Sequence, residues 1–384
     1  MRLAALLALL ATPLAAQDCG APLPDFIAGL KSQAVAAGTS AGTVDAFFAD
    51  ARIDPAVLKA DRAQGVFQLD FVTFSRRLIS AARIDNGRAN GARYDATFDE
   101  IESRYGIPRG VLLAFWAFET DYGAVQGDFN TRDALLTLAQ DCRRPELFRP
   151  ELLAAIQLYA RGDFDLNTTG AWAGEIGQVQ MLPRDIIANG MDGDGDGHVS
   201  LKTSAPDALM SGANLLSSLG WRPDEPALQE ITVPASLDWS LTGLNHQMST
   251  ADWAARGVTA RDGTLPDLPA SVLLPMGRNG PAFFAYPNFS VYFEWNQSLT
   301  YVTTAAYFAT RLAGAPVYDA GNPDPGLSGD QMVALQEKLT ALGYDVGGID
   351  GILGEKTREA VQTEQQRLGL PADAWPTTDL LARL

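Results

Sequence analysis

Residues 111–123, VLLAFWAFETDYG, constrain this chain most tightly: eight consecutive apolar or small residues, Val111 to Phe118, run straight into one carboxylate, Glu119. Pro108 stands where a helix start tolerates a missing N–H, and Gly123 supplies a stop. A helix apolar on every face is a buried helix, and about 12 residues are too few to cross a bilayer. The rest of the chain must therefore wrap this helix, with Glu119 at its end among aromatics. Desolvation there disfavours the ionised carboxyl and raises its pKa. A carboxyl that keeps its proton near neutral pH is what a general acid acting on an ether oxygen requires. From this stretch alone a solvated or salt-bridged carboxylate remains the alternative.

The chain is long enough, at 384 residues and 47% hydrophobic, for two or three domains with a substantial core. Residues 1–16 combine an early Arg2, an apolar run and small residues before Gln17, the pattern of a cleaved secretory leader. Cys19 follows Gln17-Asp18, which does not suit lipoprotein processing, so a soluble periplasmic protein is expected. Twenty-nine Lys+Arg stand against 46 Asp+Glu, a net charge of −17. That balance excludes sequence-independent nucleic-acid binding, which needs cationic neutralisation of phosphates, and docking on anionic lipid. The two cysteines, Cys19 and Cys142, are expected to form one disulfide in an oxidising compartment. With only His198 and His246, a His-based nucleophile machine or a multi-His zinc site lacks material. Carboxylate chemistry is favoured by elimination.

Helical patterns are read at residues 25–30, 43–51, 70–82, 94–105 and 145–161, each bounded by Pro, Gly or a capping residue. Beyond Gly220 the segments 231–233 and 272–274 are β-prone. NFSVYFEW at 288–295 reads as a strand and 301–312 as a last helix. Residues 316–329, rich in Pro, Gly and Asp, read as a linker between a main domain, 17–315, and a small module, 330–384.

Residues 170–185, GAWAGEIGQVQMLPRD, hold Gly170, Gly174 and Gly177, which permit close backbone approach. Gln178 and Gln180 bring amides suited to sugar hydroxyl and acetamido groups. A tight interhelical turn is the other reading. Taken together and in order, FETDYG, GEIGQVQMLP, DGDGDGH and WNQS at 295–298 with Tyr301 resemble the lytic murein transglycosylase B family from about Asp25 to Leu312. The resemblance implies a mainly α (α+β) fold: a lysozyme-like helical catalytic domain with a small β-containing part. It implies cleavage of the MurNAc–GlcNAc β-1,4 bond of peptidoglycan glycan strands, with a 1,6-anhydro-MurNAc end and no net hydrolysis. Glu119 falls on the single catalytic carboxylate, acting as acid and then as base. Gln180, with Gln178 beside it, and Asn296 and Tyr301 fall on substrate-binding positions. Two departures stand out: Ala171 replaces a usual serine, and Glu175 replaces a small residue. A hydrolytic muramidase of this fold and an inactive wall-binding protein are the competing readings.

Asp192, Asp194 and Asp196 occupy positions 1, 3 and 5 of a calcium-type loop, with Gly197 at the sharp turn and the carbonyl of His198 at position 7. Thr203 stands where the bidentate Glu belongs. By the resemblance a later aspartate closes the loop, and Asp207 is the one available. A structural Ca²⁺ is therefore expected, while the chemistry itself requires no cofactor. A solvated acidic turn is the alternative. Finally, LGY, GGIDGILG and TREAV within 332–384 resemble the small helical peptidoglycan-binding module, which implies a three-helix unit that holds the wall polymer near the catalytic domain.

Overall fold

The computed structural model describes residues 19–63 and 69–384; the leader expected at 1–16 lies outside the described residues. Six helices, α1 (Leu23–Ala36), α2 (Ala41–Phe48), α3 (Pro55–Arg62), α4 (Phe71–Leu78), α5 (Ala81–Arg93) and α6 (Asp95–Tyr105), lead into α7 (Arg109–Thr120). Their starts follow side-chain chemistry: Ser40, Asp54, Asp70 and Ser80 each accept a backbone N–H of the first turn. In α7 every residue from Gly110 to Ala117 is buried. Pro108 is its N-cap, and Asp121 at the C-cap takes the left-handed conformation.

After α7 come a two-residue strand β1 (Phe129–Asn130), α8 (Thr131–Gln140), α9 (Pro145–Arg161), strand β2 (Thr169–Gly170), α10 (Pro183–Asn189) and α11 (Ala205–Ser218). A small antiparallel part follows, with β3 (Leu228–Thr232), β4 (Gln247–Ser249), α12 (Thr250–Ala255), β5 (Thr259–Ala260), β6 (Pro269–Leu273) and β7 (Phe283–Ala285). Its strands lie in the order β4-β6-β7-β3-β5 over a separate core that includes Trp253, Val272 and Phe284. The chain then returns to the helical body through α13 (Pro287–Trp295) and α14 (Leu299–Leu312). α14 packs along α7. A Cβ on Gly110 would stand 2.7 Å from the Ala309 carbonyl oxygen, so glycine is what lets the two backbones meet there.

Several elements differ from the sequence reading. NFSVYFEW at 288–295 is helical, not a strand. Pro287 opens the turn, and Phe289 and Tyr292, three apart, fall on one buried face; packing overrides the β preference of the aromatics. α5 was not anticipated because its face toward the core is made by Gly87 and Gly91, which carry no apolar signal. α8 and α11 also lay outside the recognised periodicity. The helix at 145–161 matches α9 end to end, with Pro150 accommodated inside it.

Cys19 and Cys142 are joined by a disulfide that closes 123 residues of chain. Beside it, Asp61 is buried and pairs with Arg143 at 2.7 Å and with Arg144. A disulfide stabilises mainly by restricting the unfolded chain. Replacing both cysteines by alanine is expected to cost about 2–5 kcal/mol, to be read as a lower denaturant midpoint.

Residues 316–328 hold no helix or strand, yet they are strapped to the body. Tyr318 is buried, its hydroxyl 2.8 Å from Ser75 Oγ, and its N–H donates to Tyr307 Oη. The last three helices, α15 (Gly329–Ala341), α16 (Glu355–Arg367) and α17 (Thr378–Arg383), enclose a core around Leu335, Leu339 and Val361. This unit is seated on the β part. Arg358 donates to the carbonyls of Leu274 and Pro275 and lies over the Trp375 ring, while Arg278 pairs with buried Asp373 at 3.0 Å.

Candidate active site

Glu119 occupies the last turn of α7, half-buried. Burial pushes its carboxyl above the usual carboxylate range; hydrogen bonds from Tyr301 and Trp295 oppose that push and the charge of Glu175 adds to it. Both donors converge on the same atom: Trp295 Nε1 donates to Oε1 at 3.0 Å and Tyr301 Oη at 2.5 Å. Among the described residues, Oε2 has no hydrogen-bond partner. A carboxyl held in this way is oriented through Oε1, and when it is protonated the proton sits on Oε2.

The donors are themselves held by aromatic packing. Trp295 stacks on Phe115 of α7 at 4.3 Å between centroids, and Phe118 stacks on Phe308 of α14 at 5.3 Å. Ser298 caps α14 by accepting from Tyr301 N, and Asn296 Oδ1 accepts from Ser298 N. Tyr301, expected to touch substrate, is instead spent on Glu119. Its hydroxyl stays protonated, its pKa raised well above that of a free tyrosine by burial and by the adjacent carboxylate.

The open cleft at Glu119 has a volume of about 420 Å³ and is walled by Trp172, Glu175, Gln180, Trp295 and Asn296. Gln180 sits there with φ 53°, a conformation that side chains other than Gly adopt at a cost and that clusters at functional sites. Its amide nitrogen donates to Gly177 O at 2.8 Å and Gln126 O at 3.4 Å, which leaves its side-chain oxygen as the acceptor toward the cleft. Gln178 does not join it. That residue is buried, its N–H bonded to Leu201 O and its carbonyl accepting from Thr120 Oγ1 at 2.6 Å. Gln178 pins the turn beneath the end of α7 and is not part of the cleft lining.

The turn also fixes Glu175, for which the sequence leaves open a solvated side chain, a contact to a positive substrate group, or a second carboxylate for hydrolysis. Its carbonyl accepts from Ala171 N at 3.1 Å, and a Cβ on Gly170 would come within 2.0 Å of that oxygen. Only glycine permits so close a crossing. Burial raises the Glu175 pKa, and Oε2 is buried without a hydrogen-bond partner.

In the aspartate loop, Asp192, Asp194 and Asp196 each bring a carboxylate oxygen within 4.8 Å of the others. The oxygens are hard donors of the kind Ca²⁺ prefers. Asp192 accepts from the amides of Gly197, Gly195 and Asp196, and these hold its carboxyl below the usual range. Asp207 is placed differently from expectation. It is buried at the start of α11, where Oδ1 accepts from Gly193 N and Asp194 N and Oδ2 from Ser200 N. It ties the loop to the start of α11 and lies outside the cluster formed by Asp192, Asp194 and Asp196. The His198 ring faces Asp163 at 3.2 Å. The loop joins α10 and α11, which contribute Asp185 and Leu215 to the cleft.

A helical body that presents a carboxyl raised above its usual range and gripped by two donors in an open polar cleft has the layout of an enzyme that cleaves glycosidic bonds. Residues 23–310 match the Transglycosylase SLT domain, and the chain belongs to that family. Residues 328–384 match the putative peptidoglycan binding domain. SltB3 from Pseudomonas aeruginosa, solved in complex with NAG-anhNAM-pentapeptide, superposes with a TM-score of 0.86 at 35% identity, covering 95% of this chain and 99% of that one. Membrane-bound lytic murein transglycosylase B of Escherichia coli (strain K12) is 29% identical over 252 residues, 64% of this chain and 68% of its own length. The Escherichia coli lytic transglycosylase Slt35 in complex with calcium gives a TM-score of 0.64 at 25% identity, covering 76% of this chain and 92% of that one. The protein is a lytic transglycosylase of peptidoglycan with a wall-binding module. Among the described residues no helix is long and apolar enough to cross a membrane.

Proposed function

We propose that Glu119 performs both proton transfers in cleavage of the MurNAc–GlcNAc β-1,4 bond. The observation that carries this is the asymmetry of its carboxyl, Oε1 bound by Tyr301 and Trp295 and Oε2 without a partner. As acid, Oε2–H protonates the glycosidic oxygen while the bond from C1 of MurNAc to that oxygen breaks. The leaving GlcNAc departs with the proton as a hydroxyl. As base, the carboxylate takes the proton of the C6 hydroxyl of the same MurNAc, whose oxygen bonds to C1. A 1,6-anhydro ring results, Glu119 is reprotonated and no water is consumed. A glycosidase that uses water needs a second carboxyl; an intramolecular hydroxyl removes that need. The capture of NAG-anhNAM-pentapeptide by the Pseudomonas aeruginosa relative supports the anhydro outcome. Gln180, through its free oxygen, and Asn296 are placed to bind sugar hydroxyl and acetamido groups along the cleft.

Mass spectrometry of digested peptidoglycan tests this reading: 1,6-anhydro ends are expected, and reducing ends alone would overturn it. Hydrolysis is the second reading, favoured by one observation, the second carboxyl, Glu175, in the same cleft.

The oxygen-rich set Asp192, Asp194 and Asp196, with the His198 carbonyl, is proposed to hold a structural Ca²⁺. Three carboxylates packed together repel unless a cation joins them. The ion's part is to hold the joint between α10 and α11, with no role in bond cleavage. Chelation is expected to lower the melting temperature and added Ca²⁺ to restore it; a melting temperature indifferent to both would refute the site. The leader at 1–16 and the disulfide support action in the periplasm.

A further inference from the structure

We infer that Glu175 is a positioning residue for the catalytic proton: a carboxylate fixed in the same cleft that keeps Glu119 in its proton-bearing form until the glycosidic oxygen arrives. The inference rests on the assignment of Glu119 as the acid. Both side chains line one cleft. The Glu175 backbone is clamped by Ala171 N–H and by the crossing over Gly170, so its carboxyl has little freedom to leave. Its Oε2 is buried with no hydrogen-bond partner among the described residues. Ala171, also in the cleft wall, offers Glu119 no donor.

Two carboxyls in one site ionise in sequence, the first charge opposing the second. Burial disfavours the ionised form of Glu175 and the charge of Arg144, itself paired with Asp61, favours it; once ionised, Glu175 opposes ionisation of Glu119. Among the described residues of the cleft no cationic side chain offsets this effect; only the hydrogen bonds from Tyr301 and Trp295 oppose it. Tyr301 from α14 is a neutral donor. Asp185 from α10 and Glu294 from α13 are the other titratable groups of the cleft, and no Lys or Arg lines it. Arg83 of α5 lies over the Phe118 ring but is paired with Asp121 at 3.0 Å. Among donors and charges, the two hydrogen bonds on Oε1 favour the anion and Glu175 favours the acid. Burial is the largest influence, and with it the net direction favours the acid.

The test is the pH profile of kcat/KM for anhydro-muropeptide release by the full chain, in the wild type, Glu175→Gln, Glu175→Ala and Glu175→Asp. kcat/KM reports the free enzyme's acid on its alkaline limb. Removing the charge is expected to move that limb to lower pH in both the Gln and Ala variants. The ratio of mutant to wild-type activity should then fall by about threefold or more from the acidic to the alkaline end, since occupancy of the acid form changes up to tenfold per pH unit beyond the limb. Glu175→Asp, which keeps the charge, should follow the wild-type limb more closely than Gln or Ala does. A structural role would lower activity by one factor at every pH, and superimposable limbs would overturn the inference. So would a folded Glu175→Gln protein inactive at all pH values, because Glu175 would then be a reacting group. Should Gln fail to fold, the Ala variant decides by the same criterion. A wild type that yields only reducing ends would instead defeat the proposed anhydro-forming reaction, a separate outcome read from the product and not from the limb.

Discussion

Glu119→Gln is expected to reduce release of 1,6-anhydro muropeptides by at least about 10²–10⁴-fold, the range that a positioned general acid–base group contributes. Binding of insoluble peptidoglycan should persist, since the wall-binding module is a separate core seated on the β part. Glutamine keeps an oxygen that accepts from Trp295 and Tyr301, so the cleft retains its shape and the loss isolates the proton. Release at the wild-type rate would refute the assignment of Glu119. A stability effect accompanies it. A carboxyl whose pKa is raised by folding supports the fold below its unfolded pKa, and that contribution is lost as pH rises through the folded pKa. Burial raises Glu119, so at alkaline pH the variant is expected to melt no lower than the wild type. Activity and stability here pull apart.

Tyr301→Phe has the second-largest expected effect. The hydroxyl that donates to Oε1 at 2.5 Å is lost, and Trp295 alone then orients the carboxyl. A misplacement of about 1 Å at a reacting group costs up to about 10²-fold, and a loss of about ten- to a hundredfold in kcat is expected. The sign of the accompanying pH change is fixed by the chemistry. Tyr301 donates to the charged form and so lowers the Glu119 pKa; without it the alkaline limb moves to higher pH. Glu175→Gln moves the same limb down. Opposite displacements from two neighbours of one carboxyl would be hard to explain by loosened packing. If the Phe variant kept both wild-type rate and wild-type limb, Tyr301 would be filling space and nothing more.

The sequence by itself determined the helix at the centre and the acid at its end. An apolar run of that length has nowhere to go but the core, and the carboxylate that ends it stands at the core's edge, where packing decides between burial and solvation. It determined the helix at 145–161 through its period, and the cysteine pair by count. It also exposed Glu175 as an unusual residue in the glycine-rich turn. Tertiary structure decided what surrounds the acid. Trp295 and Tyr301 lie 176 and 182 residues from Glu119, a separation over which no local pattern carries information. Gln178 and Gln180 look equivalent in sequence, yet the turn, with Gln180 at positive φ, sends one beneath α7 and the other into the cleft. Asp207 has a ligand's chemistry, but it lies buried at the start of α11, outside the cluster of the three loop carboxylates. The segment 288–295 has a strand's composition and becomes a helix because Phe289 and Tyr292 share one buried face, with Tyr292 against Phe115 of α7. Periodicity and burial are properties of short stretches, so sequence reveals them. Which oxygen meets which donor depends on where distant elements come to rest, and only the packed chain settles that.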